Sequence, residues 1–128
     1  MKIGKLVLGY YAFLFIAFGI AGLMIPDQVT SLIQYGLNSP VAKMEFMATY
    51  GGLFIGLGAF MFYCIKHNVQ VGLVSVIFTM GAMLLTRLFG YFSFGEANLV
   101  QYIYLAGELF TVLLVGFILV KFNHELKA

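Results

Sequence analysis

Three ionisable residues, Glu45, Arg87 and Glu108, stand within or at the edges of long apolar runs. A charge at the centre of a spanning helix costs roughly 2.5–3.5 kcal/mol on insertion scales. Such a group persists where it faces protein or water and finds a partner. The run holding Glu108 also carries Gln101, Tyr104 and Thr111. Their spacing of three, four and three puts all four on one helical face. Lipid offers no hydrogen-bond partner, so that stripe must point into the protein. Arg87 shares its face with Met80, Met83 and Tyr91, and Tyr50 lies about a turn beyond Glu45. Two carboxylates near one guanidinium would leave one acid free to titrate or to meet a cation.

This set supports two readings. In the plainer one, Arg87 pairs with Glu108 or Glu45 and holds helices together. In the other, Glu45, Tyr50, Arg87, Tyr104 and Glu108 line a polar pocket that binds the head of an amphiphilic ligand, lipid or quinone-like. An apolar body with a few convergent polar groups suits such a ligand. An accessory or assembly subunit of a larger membrane complex is the alternative, with glycine seams docking a partner. No residue is assigned a catalytic role, because the spacing does not supply the geometry of general acid–base catalysis.

The elements that position these residues are read from composition. Of 128 residues 62% are hydrophobic and 9% charged, and the mean hydropathy is +1.02. A soluble domain carries roughly a quarter charged residues. Four apolar runs, Leu6–Ile25, Met44–Ile65, Val69–Phe92 and Leu99–Val120, each reach the length of about 20 residues that a span requires. They predict a single all-α membrane domain over 1–128, an antiparallel bundle of four transmembrane helices. A signal peptide also begins with lysines and an apolar stretch, but the first run lacks a clear small-residue cleavage site.

Lys66-His67-Asn68 and Ser93–Asn98 form short turns that force antiparallel neighbours. The longer connection, Pro26–Lys43, has Val29, Leu32, Ile33 and Leu37 at helical spacing. Asp27 is a candidate cap and Gly36 a candidate stop, so a short helix in the outer interface competes with an ordinary loop there.

Five of the seven basic residues, Lys2, Lys5, Lys66, Lys121 and Lys127, collect on one side of this arrangement. The positive-inside rule makes that side, with both termini, cytoplasmic. Arg87 then lies roughly 8 Å below the outer end of its run and Glu108 roughly 14 Å, at 1.5 Å per residue. Glu45 stands at the outer boundary, so all three charges belong to the outer half.

Small residues mark packing seams: Gly51, Gly52, Gly56, Gly58 and Ala59 in the second run, with Gly52 and Gly56 expected to pack on another helix, Ala12, Gly19 and Gly22 in the first, and Gly72 to Gly90 in the third. The two histidines, His67 and His124, and the single Cys64 have no metal-ligand spacing, and no metal or other cofactor is expected. Cys64 reads as a small buried hydrophobe. The formal charge of +2 and scattered lysines give no case for nucleic acid. The expected partners are membrane lipids, with other copies of the chain or a larger membrane complex as further candidates.

The ordered set Glu45, Tyr50-Gly51-Gly52, Gly56, Gly58, Arg87, Gly90 and Glu108 resembles a family of small bacterial four-helix membrane proteins of unknown function. That family is similar to the DoxX-like group. The resemblance covers nearly the whole chain and implies a four-helix bundle in the bacterial inner membrane. Members of the pattern often carry a basic residue after the first acid, where this chain has Phe46 and Met47. Some DoxX-like proteins look like subunits of quinone-linked oxidoreductases, which underlies the redox form of the subunit reading.

Overall fold

The computed structural model describes residues 2–127, and among them every regular element is helical. Four helices have the length and apolar composition of membrane spans: α1 (Lys2–Met24), α3 (Pro40–His67), α4 (Val69–Phe94) and α5 (Leu99–Lys121). Short α2 (Pro26–Leu32) lies between the first two spans, and α6 (Asn123–Lys127) comes after the last. The chain is a multi-pass membrane protein.

Local chemistry sets the ends. Asn68 caps α4, its side-chain oxygen accepting from the Val71 N–H at 3.2 Å, and Asn98 caps α5 through the Gln101 N–H at 2.9 Å. Gly95 closes α4 at φ 74°, a left-handed conformation that glycine adopts without strain. The α3 span begins at Pro40, four residues before its apolar run, because Ser39 caps it and proline suits the first turn. A short helix is present in the long connection but ends at Leu32, before the expected stop at Gly36, and Pro26 opens it where Asp27 was expected to cap. Gln34 stands at φ 57° just beyond, which breaks the helical path.

The hydrophobic core occupies the half of the bundle that carries the termini. Leu8, Tyr11, Ala12 and Phe15 of α1 meet Met61 and Cys64 of α3, Leu73 and Val76 of α4, and Val115 and Ile118 of α5. Gly72 lets α4 approach there: a Cβ on it would fall 2.8 Å from that of Cys64 and into the Leu8 side chain. Cys64 is a free, buried thiol within this core.

In the far half the closest backbone approaches are within two pairs, α1 with α3 and α4 with α5. The α1–α3 seam uses Gly19, Gly22, Gly51 and Gly58. The expected pair Gly52 and Gly56 is not part of it, and a methyl group on either would meet nothing within 4 Å. The π-helical stretch Met47–Leu53 contributes to this result. Each such turn takes in an extra residue and so rotates the two flanking parts of the helix relative to each other. The face presented to α1 is that of Gly51 and Gly58.

Candidate functional site

Arg87 and Glu108 face each other across the α4–α5 pair, as a tight turn between antiparallel helices requires. The Arg87 Nε donates to both Glu108 carboxylate oxygens at 3.1 Å, and Nη2 donates to Oε1 at 2.8 Å. Nη1 donates to the side-chain oxygen of Gln101, which lies on the same face of α5 as Glu108. The Tyr104 ring lies under the guanidinium, 5.3 Å from Cζ to the ring centre. Tyr104 in turn meets Phe18 of α1 edge-on at 6.4 Å, which links the two helix pairs.

Burial explains why this cluster is so fully paired. The Glu108 side chain is 3% exposed and that of Arg87 23%. A carboxylate this deep needs a charged, forked partner to offset its desolvation. A guanidinium has five N–H donors, and three are used by Glu108 and Gln101. One N–H on each Nη remains for another acceptor.

Beside the guanidinium, between the ends of α4 and α5, lies an open cavity of about 260 Å³. Arg87, Tyr91, Gln101, Tyr102 and Leu105 form its walls, with Glu96 and Phe94 toward the turn. Tyr91 and Tyr102 stand edge to face at 6.1 Å. The lining is thus mostly aromatic and apolar, with Arg87, Glu96 and Gln101 as its polar members.

Of the five residues singled out from sequence, the structure gathers three. Arg87, Tyr104 and Glu108 form one cluster. Glu45 is exposed on α3, and the two ion pairs among the described residues are Arg87 with Glu108 and Lys43 with Asp27. Tyr50 stacks on Phe46 at 4.8 Å and packs near Phe54, away from the cavity lining. The expected alternative pairing of Arg87 with Glu45 is thus not the one formed, because the far half of α3 packs on α1.

Thr111 completes the inward stripe, but its partner is protein. Its hydroxyl donates to the Gly107 carbonyl at 2.7 Å, so it accepts from the Tyr11 hydroxyl, also at 2.7 Å. Sequence reasoning passed over Tyr102 and Leu105. Their signal was positional: both flank Gln101 on the side of α5 that a short turn folds toward Tyr91 and Arg87. Among the described residues no three His, Cys, Asp or Glu side chains cluster as metal ligands would.

No curated protein and no solved structure matches the sequence significantly. The family model described as Domain of unknown function (DUF4345) matches residues 3–119, nearly the whole bundle with its Arg87–Glu108 pair, and the chain belongs to that family.

Proposed function

We propose that this protein binds or carries a small amphiphile, lipid or quinone-like, in the half of the bundle opposite its termini. The observation that supports this most is the cavity of about 260 Å³ beside an arginine with donors to spare. A volume of that size holds a head group; drug-sized ligand pockets run from roughly 300 Å³ upward. The tail would lie along the apolar outer faces, where residues such as Phe89 and Phe92 are largely exposed. In this reading Arg87 supplies the donors, Glu108, Gln101 and Tyr104 fix its orientation, and Tyr91 and Tyr102 flank the head.

Native mass spectrometry of the detergent-purified protein tests it. The expected result is a lipid-like adduct in the wild type that Gly90→Leu abolishes. Gly90 lines the cavity and a Cβ on it meets nothing within 4 Å, so a larger side chain can be introduced there to occupy the site. A wild-type protein that carries no adduct and takes up no added amphiphile would defeat the reading.

The second reading, an accessory or assembly subunit of a larger membrane complex, is supported by the open surface at Gly52 and Gly56. Small residues facing outward let another helix approach closely. A DoxX-like affiliation would make that complex quinone-linked and redox-active. Co-purification of a partner in mild detergent, lost in Gly56→Leu, would favour it. The resemblance described above implies the bacterial inner membrane, and the distribution of the lysines supports cytoplasmic termini.

A further inference from the structure

We infer that the head group taken by this cavity is uncharged and presents a carbonyl oxygen, as an ester, amide or ring carbonyl does. The inference rests on the binding function proposed above and narrows its ligand class. The site has donors but no spare positive charge. Arg87 is held by Glu108 through both Nε and Nη2, so the two formal charges cancel within the pair. The free N–H on each Nη still carries full donor strength, which an oxygen acceptor can use.

An anionic head would meet a different balance. Adding a phosphate or carboxylate to a neutralised pair leaves the site with net negative charge in a medium of low dielectric. Glu96 at the rim adds a further acid, and the lining residues include no cation besides Arg87. Helix dipoles do not compensate, because the cavity adjoins the C-terminal end of α4 and the N-terminal end of α5, whose partial charges oppose one another. The attraction of Arg87 and the repulsion of Glu108 largely offset one another for an anionic head, so the cost of desolvating its charge goes uncompensated. The tyrosine walls agree with a neutral head, since Tyr91 and Tyr102 offer ring faces and phenol donors but no charge.

Two probes that differ by one phosphate group decide the matter: 1-oleoylglycerol and 1-oleoylglycerol 3-phosphate. Both carry the same chain and the same ester carbonyl. Their binding to the purified full-length protein in neutral detergent is compared by native mass spectrometry at matched concentrations. The wild type is expected to favour the uncharged probe by about tenfold or more, as the uncompensated desolvation of the anion requires. Glu108→Gln removes the neutralising carboxylate and should reverse the preference toward the phosphate. Equal binding, or preference of the wild type for the phosphate, would overturn the neutral-head inference while leaving the pocket in place. Binding of neither probe, with no adduct retained from the membrane, would remove the binding function as well. The wild-type comparison decides alone if Glu108→Gln does not fold.

Discussion

Tyr11 and Thr111, separated by a hundred positions in the chain, share a 2.7 Å hydrogen bond that ties α1 to α5 near the middle of the bundle. Both side chains are almost fully buried, at 3% and 2% exposure. Thr111 keeps its bond to the Gly107 carbonyl without Tyr11, so Tyr11→Phe strands no donor. The expected loss is small, about 0.6 kcal/mol, the average for hydrogen bonds between membrane helices. Thr111→Val leaves the buried Tyr11 hydroxyl without its partner and should melt below Tyr11→Phe, while adding Tyr11→Phe to it should cost nothing further. A large loss for Tyr11→Phe alone would mean that its hydroxyl serves another group.

The α1–α3 seam predicts a sharp asymmetry between neighbouring glycines. A methyl group on Gly58 would stand 2.7 Å from the Ala12 carbonyl oxygen and 2.5 Å from the Ile16 side chain. Backbone cannot yield there as a flexible side chain can. Gly58→Ala should destabilise by roughly 1–3 kcal/mol, the usual cost of overpacking. Gly56→Ala meets open space and should be neutral or slightly stabilising through helix propensity. Thermal melts of the two variants in one detergent give the comparison, and equal melting temperatures would contradict the seam.

The four spans were legible in the sequence because lipid demands long apolar runs and leaves little else to choose. That Arg87 pairs with an acid was legible, with Glu108 and Glu45 both open, and the tight turn that makes α4 and α5 neighbours favours Glu108. Glu45 could not be placed the same way. Its long connection leaves the partner of α3 open, and close approaches at Gly19, Gly51 and Gly58 decided it. The choice of Gly51 and Gly58 over Gly52 and Gly56 depends on one helical step, which a π-helical stretch displaces. Tyr102 escaped notice because a tyrosine near a helix end reads equally well as part of the interfacial aromatic belt.

Breaking the buried pair should cost far more than breaking the exposed one. Arg87→Leu leaves Glu108, 3% exposed, without its cation. Stranding a buried charge typically costs about 3–5 kcal/mol. Lys43 and Asp27 also form an ion pair, at 3.1 Å, but with side chains 45% and 65% exposed. Solvent screens such a pair to at most about 1 kcal/mol. Lys43→Leu should therefore melt close to wild type and Arg87→Leu well below it. Restoring stability in Arg87→Leu by adding Glu108→Gln would identify the stranded carboxylate as the cause.

Topology is open to a direct test. With five of seven basic residues on the side of the termini, a reporter that is active only in the cytoplasm should work when fused at the C-terminus. A periplasm-dependent reporter should work when inserted in the turn between α4 and α5. The reverse pattern would put the cavity on the cytoplasmic side and change the pool of ligands it meets.

Asn98 performs two tasks whose separation makes the last prediction. Its side-chain oxygen accepts from the Gln101 N–H at 2.9 Å and caps α5. Its amide nitrogen donates to the Leu32 carbonyl at 2.8 Å, which fastens the end of α2 across to the α4–α5 turn. The segment after α2 is also held by Tyr35, whose ring meets that of Phe46 at 5.8 Å and whose N–H donates to the Thr30 carbonyl at 2.9 Å. Asn98→Asp keeps a good capping oxygen but replaces the donor with an acceptor facing a carbonyl. It should leave α5 intact and release the strap. Asn98→Ala loses both functions and should cost a further 0.5–2 kcal/mol, roughly the worth of a helix cap. Hydrogen exchange separates the two effects. In Asn98→Asp, amides of residues 33–38 should exchange faster while those of Gln101 to Tyr104 hold near wild-type rates; in Asn98→Ala both groups should speed up. Unchanged exchange at 33–38 in Asn98→Asp would mean that Tyr35 on Phe46 secures the strap unaided.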